Sequence, residues 1–170
     1  LTAGTSSGFF HEAVRGANQH IKDHYNLIVK GIDDYEDLTE ITTNMFDGIL
    51  VMSQSRADDA FIEHLLKMRI PTVVLNRLVD YPISANLVSD DYEGAFEAVH
   101  YLIKQGHRDI ALISGKEDFQ STQERKRGYL DALKHSQIQP SPALEVQGQY
   151  DMKSGYKAML TLLKRSLPTA

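Results

Sequence analysis

The chain has 170 residues, room for one domain or two small lobes, and folding at this size buries about 70% of the surface the unfolded chain exposes, so a core needs no disulfide or metal staple. Cysteine is absent, which excludes a thiol nucleophile, a thiolate metal site and a disulfide framework, and suits a reducing compartment. Eighteen Lys and Arg against 23 Asp and Glu leave a net charge of −5, so these residues carry no overall basic footprint for nucleic acid, and no apolar run approaches the ~20 residues of a membrane span.

In chain order, the opening Leu1–Gly8 lacks the basic start and long apolar stretch of a signal peptide. Phe10, Val14, Ala17 and Ile21 then fall on one helical face, with Ser6 or Ser7 available as N-cap. Tyr25–Val29 reads as a short strand, and Leu38, Ile41 and Met45 as a weaker helix. Phe46–Met52 is a near-continuous apolar run of the kind buried on both faces of a parallel sheet, and Phe61, Leu65 and Leu66 mark a helix over Asp58–Met68. Pro71–Leu75 and Asn86–Val88 are strands. A helix over Asp91–Gln105 is ended by Gly106, and Asp109–Ser114 is a strand. Ser121 and Glu124 match a capping box opening a helix to about His135, Leu144–Tyr150 is a strand, and Met152–Arg165 is a closing helix.

Strands alternating with helices imply parallel sheets with right-handed crossovers, a doubly wound α/β fold. The segment Leu78–Ser89, which contains Pro82, is the least regular and divides the chain into lobes 1–89 and 90–170. Both ends read as cut, because Leu1–Thr5 is short for a first strand and Leu167–Ala170 stops where another strand should begin.

Gly4-Thr-Ser6-Ser-Gly8 matches a nucleophile elbow, but a hydrolase of that type needs several strands before the elbow, and a Ser-capped strand-to-helix turn explains the same residues. His20 and His24 have the i, i+4 spacing of metal ligands, with His11 a third candidate, yet no Glu stands between them as in H-E-x-x-H, and Lys22 and Asp23 suit a solvated helix end. Gly115-Lys116 lacks the rest of a P-loop. No catalytic residue, metal or cofactor is therefore assigned.

The strand ends are more informative, because ligands of open parallel sheets lie beyond the carboxyl ends of the strands. Those positions carry Ser7 to Phe10, Ser53 to Arg56, Asn76-Arg77, Gly115 to Arg125, and Tyr150. Aromatic rings stack on the C–H faces of a sugar, and Asn and Arg fork onto hydroxyls or a carboxylate, so this mixture suits a polar small molecule. Taken singly, Phe9 or Phe10 suits a core and Arg125 a solvated helix.

Several runs together resemble the landmarks of the LacI family of bacterial transcriptional regulators. They are Gly8-Phe-Phe-His-Glu-Ala-Val-Arg-Gly16, Phe46-Asp-Gly-Ile-Leu50, Ile70-Pro-Thr-Val-Val-Leu-Asn-Arg77, Asp90-Asp-Tyr-Glu-Gly-Ala95, Gly106-His-Arg-Asp-Ile-Ala-Leu-Ile-Ser-Gly115, Gln123-Glu-Arg-Lys-Arg-Gly-Tyr129 and Ser154-Gly-Tyr156. The resemblance implies a two-lobed, periplasmic-binding-protein-like (type I) effector core behind a helix-turn-helix headpiece that this chain does not contain. It further implies that Phe9, Phe10, Asn76, Arg77, Arg125 and Tyr150 contact the effector, with Asn76 standing where Asp is common. A sugar or related metabolite would move the lobes and so alter operator affinity, in a cytoplasmic homodimer that binds DNA through the headpiece and has no membrane association. The alternatives are a secreted sugar-binding protein of a transport system, the same core behind a GntR-type headpiece, and a hydrolase using Ser6.

Overall fold

The computed structural model describes residues 8–35, 37–82, 85–165 and 168–170. Two compact units divide the chain, Leu1–Leu87 and Val88–Ala170.

In the first unit, α1 (Gly8–Ile21) precedes three parallel strands, β1 (Ile49–Met52), β2 (Thr72–Leu75) and β3 (Ala85–Leu87), ordered β1-β2-β3. Ile49 stands opposite Thr72, and Val73 opposite Ala85. The crossover from β1 to β2 is α2 (Asp59–Lys67), whose Phe61, Ile62 and Leu65 bury against Ile41, Val51, Ile70 and Val74. The spacing predicts this βαβ unit, because only one stripe of α2 is apolar and only a sheet offers a face to cover it. Burial in β1 is one-sided, however: Val51 is 3% exposed and Leu50 45%, where the apolar run predicts burial on both faces.

Two expectations fail in this unit. Tyr25–Val29 forms no ladder, and Ile28 and Val29 are at least half exposed. A β-rich run becomes a strand only where a neighbouring edge takes its N–H and C=O groups, and no described strand pairs with it. The helix expected through Leu38, Ile41 and Met45 is instead one 3₁₀ turn, Leu38–Glu40, with a further single turn at Thr42–Met45. Its N-cap is Asp37, whose side chain accepts from the Thr39 N–H (2.8 Å), and Ile41 is fully buried by the unit's core. The N-cap expected at Ser6 or Ser7, the elbow at Ser6 and the strand at Leu1–Thr5 lie outside the described residues.

The second unit contains α3 (Asp91–Lys104), β4 (Leu112–Ser114), α4 (Gln120–His135), β5 (Glu145–Gln147) and α5 (Met152–Arg165). β4 and β5 are parallel, with Leu112 opposite Glu145, and α4 is their crossover. Asp90 caps α3 by accepting from the Glu93 N–H at 2.9 Å. The core joins Val99 and Ile103 of α3 to Tyr129, Ala132 and Leu133 of α4, with Ile110 beneath them. The Tyr129 hydroxyl donates to the Ile110 carbonyl at 2.9 Å, and burial first, with Glu145 second, pushes that phenol's pKa up. α3 and α4 meet at Gly128, where an added Cβ would stand 2.3 Å from the Tyr92 carbonyl oxygen, so only glycine lets the backbones approach this closely.

Three helices end in the same left-handed turn. The residue after the cap is Gly106 (φ 98) for α3, but Arg69 (φ 56) for α2 and Gln137 (φ 57) for α4. In each, the following N–H bonds back to the carbonyl five residues earlier: His107 to Leu102 (3.1 Å), Ile70 to Leu65 (3.1 Å) and Ile138 to Leu133 (2.9 Å). No helix among the described residues is long and apolar enough to cross a membrane.

Candidate functional site

The carboxyl ends of the first unit's strands carry a buried polar array. Ser53 follows β1 directly and is completely buried; its hydroxyl donates to Asp58 (2.8 Å) and accepts from Arg77 Nε (3.0 Å). Arg77 Nη2 pairs with Asp59 Oδ1 at 2.5 Å, and its side chain is 6% exposed. A buried guanidinium hydrogen-bonded to both a carboxylate and a hydroxyl is an arrangement that lets a charge be taken out of water. Asn76 sits between β2 and Arg77 at φ 71, a left-handed position that Asn tolerates better than most residues, and its N–H donates to Leu87 (2.9 Å).

The expected aromatic pair in this unit lies apart from that array. Phe9 is 54% exposed on α1. Phe10 lines an apolar groove of about 750 Å³ together with Val14, Ala17, Ile21 and the β1 residues Ile49–Met52, and neither Asn76 nor Arg77 reaches it. No helical residue of α1 is buried.

In the second unit the expected pair is brought together. Tyr150, three residues past β5, adopts φ 61 and stacks on Phe119 with ring centroids 5.8 Å apart and planes 13° from parallel. Its hydroxyl shares a 2.7 Å hydrogen bond with Thr122 Oγ1 of α4. Gly115, directly after β4, makes this possible, because a Cβ there would stand 2.1 Å from the Tyr150 ring. Arg125 Cζ lies 6.0 Å from the same ring's centroid, and Arg125 Nε donates to Asp91 Oδ1 at 2.7 Å. The guanidinium is half exposed, whereas Asp91 is 15% exposed. Beside Tyr150, Asp151 accepts from the Ser154 N–H at 2.8 Å, and that backbone bond, seconded by the Ser154 side chain, holds its carboxyl below the usual carboxylate range.

The capping box is corrected here. α4 begins at Gln120, its N-cap is Phe119 with no side-chain cap, and Glu124 pairs with Arg127 (2.6 Å) instead of reaching back. Arg125 is thus in the second turn, and its partner is Asp91, 34 residues earlier. Sequence reasoning missed Asp59 and Asp91 as partners of the arginines, since nothing local pairs charges so far apart in the chain, and Asp58 as a partner of Ser53; Phe119 and Thr122 fell inside the strand-end segment Gly115 to Arg125 without being singled out.

Residues 1–170 match the family described as periplasmic binding proteins and sugar binding domain of LacI family. The chain belongs to this family. Among LacI-family proteins, the probable HTH-type transcriptional repressor ExuR of Bacillus subtilis (strain 168) is 48% identical over 163 residues, covering 96% of this chain and 49% of that protein. A transcription regulator from Lactobacillus plantarum superposes with a TM-score of 0.79 at 26% identity, covering 94% of this chain and 61% of that one. The transcriptional regulator CelR, solved as its cellobiose complex, gives a TM-score of 0.64 at 26% identity, covering 94% of this chain and 42% of that one. The chain spans about half the length of the curated relatives it matches. The LacI resemblance and the α/β, periplasmic-binding-protein-like fold are both borne out.

Proposed function

We propose that this chain is the effector-binding core of a LacI-type transcriptional repressor, in which a sugar or related metabolite changes the protein's affinity for operator DNA. The observation that carries the reading is the Phe119–Tyr150 wall with Arg125 beside it, at the carboxyl end of a parallel sheet in a LacI-family chain. Tyr150 supplies an aromatic surface half open to solvent for a sugar face, and Arg125 retains N–H groups beyond the one given to Asp91 for hydroxyls or a carboxylate. In the first unit, Asn76 and Arg77 contribute from the end of β2, Arg77 through the array it holds with Ser53 at the end of β1, and Phe9 and Phe10 contribute from α1. Residues 1–89 and 90–170 serve as the two lobes of that core.

The relatives support regulation over transport, because those named above are repressors and regulators. The reading requires no catalytic step and no cofactor. The whole protein would be a cytoplasmic homodimer that contacts DNA through a helix-turn-helix headpiece, since paired half-sites in DNA call for two-fold symmetry. The test is a thermal-shift screen of the complete protein against sugars, sugar phosphates, uronates and purines, followed by gel-shift titration on DNA upstream of its own gene. A compound that raises the melting temperature and shifts DNA affinity is the expected result; compounds that bind without any change in DNA affinity would remove the regulatory reading.

A further inference from the structure

The wall formed by Phe119 and Tyr150 has a cation on each ring. Arg125 Cζ lies 6.0 Å from the Tyr150 centroid, and Lys116 Nζ lies 5.4 Å from the Phe119 centroid. The two cations differ in their counter-charges. Asp91 neutralises Arg125. No carboxylate among the described residues lies within ion-pairing distance of Lys116, although Glu117 and Asp118 are its chain neighbours; both point into solvent. The placement of Lys116 follows from the backbone: β4 ends at Ser114, Gly115 is buried under Tyr150, and Lys116 comes next, its carbonyl accepting from the Phe119 N–H at 3.2 Å. That tight turn brings the Lys116 stem alongside the ring of Phe119, itself only 8% exposed. Exposed carboxylates stand nearby, Glu117 and Asp118 in the chain and Asp151 beside Tyr150, but none of them pairs with Lys116, so among the described residues the wall carries one ion-paired cation, Arg125, and one ammonium group without an ion pair, Lys116.

We propose that Lys116 selects effectors by charge, and that the effector is a sugar-like compound bearing an anion, a carboxylate or a phosphate. This rests on the effector-binding reading above and adds the ligand's charge class to it. The ring packs against the half-exposed Tyr150, which the buried Phe119 backs, its hydroxyls meet Arg125 and Asp91, and the anion meets the ammonium group, whose three N–H donors suit either oxyanion. A neutral sugar would make the same stacking and hydroxyl contacts and leave Lys116 to water.

The full-length protein is titrated calorimetrically with matched sets at low and high salt: D-glucose, D-glucuronate and D-glucose 6-phosphate, and the corresponding galactose compounds. One anionic member should bind at least about tenfold more tightly than its neutral counterpart, as expected of a hydrogen bond between charged groups, and salt should erode that preference. The uronate and phosphate arms distinguish the two anions. Lys116→Gln should abolish the preference while leaving the melting temperature and neutral-sugar binding unchanged, and Lys116→Arg should retain most of it. Neutral sugars binding as tightly as their acids and phosphates, or a preference that survives Lys116→Gln, would overturn the inference while leaving the effector reading intact. Failure of both series to bind would overturn this inference, and the effector reading falls with it where the thermal-shift screen of sugars, sugar phosphates, uronates and purines also yields no ligand.

Discussion

Arg77 follows β2 in the first unit, Arg125 lies on α4, the helix after β4, in the second, and the resemblance to LacI-family proteins gives both the same role. Their surroundings differ. The Arg77 side chain is 6% exposed, fixed by Ser53 and Asp59 within one buried array, whereas Arg125 is 49% exposed, held by an ion pair to Asp91 and lying over the Tyr150 ring. Burial decides what each contributes. A desolvated guanidinium cannot be removed without leaving its carboxylate, here Asp59, uncompensated, so Arg77 is coupled to folding; a half-solvated one is held loosely enough to exchange water for a ligand.

The largest effect expected from this contrast is the instability of Arg77→Ala. Breaking a buried pair by removing one partner costs about 3–5 kcal/mol, so urea denaturation should show a loss of at least about 3 kcal/mol. A loss below about 1 kcal/mol would make the two arginines equivalent. Next is Arg125→Ala, which should weaken effector binding in calorimetry about 30-fold or more while changing unliganded stability by less than about 1 kcal/mol. Arg127→Ala serves as control: Arg127 pairs with Glu124 and lies 4.4 Å over the Tyr92 ring, away from Tyr150, and affinity should stay within about twofold.

A third substitution tests whether the second unit's site depends on its helix crossing. In Gly128→Ala the new methyl would meet the backbone of α3, which cannot rotate away, and overpacking of this kind costs about 1–3 kcal/mol. The lost stability should be accompanied by weaker effector binding, because Asp91 and Arg125 sit on the two helices that would be pushed apart. Unchanged affinity in the folded variant would uncouple the site from the crossing.

The smallest effect is acid sensitivity, to which each unit contributes one exposed carboxylate. Backbone N–H donors, Thr39 for Asp37 and Ser154 for Asp151, hold these carboxyls below the usual range. A depressed value means that the stabilisation is complete above the unfolded carboxyl pKa, about 4, and is lost as pH falls through the lower folded value. Asp37→Asn and Asp151→Asn keep an accepting oxygen but no charge, so melting temperature in each variant should fall less steeply than in wild type over that acid range. Parallel curves for variant and wild type would show that the charge adds nothing.

The sequence reveals the two units unequally. The βαβ units were legible because their apolar stripes have helical or strand periods, and the end of α3 because Gly106 announces a left-handed turn. The equivalent turns after α2 and α4 carry Arg69 and Gln137, which announce nothing; the pull of Ile70 and Ile138 into the adjacent cores favours those turns despite their residue types. Tyr25–Val29 misled because strand composition describes a residue's preference and not the presence of a neighbouring edge. At the site, the resemblance marked Arg77 and Arg125 equally, since a motif records residue type and position but neither burial nor a partner such as Asp59 or Asp91.

Gly115 and Tyr150 constrain the order in which this surface can evolve. With Tyr150 in place, any side chain at position 115 meets its ring at 2.1 Å, so that mutation alone dislodges the aromatic wall. A smaller residue at 150 would first have to relieve the clash, after which position 115 would be free to vary. Descendants that acquire a new ligand preference through position 115 should therefore have lost the tyrosine beforehand, and restoring the glycine without the tyrosine would not restore the wall.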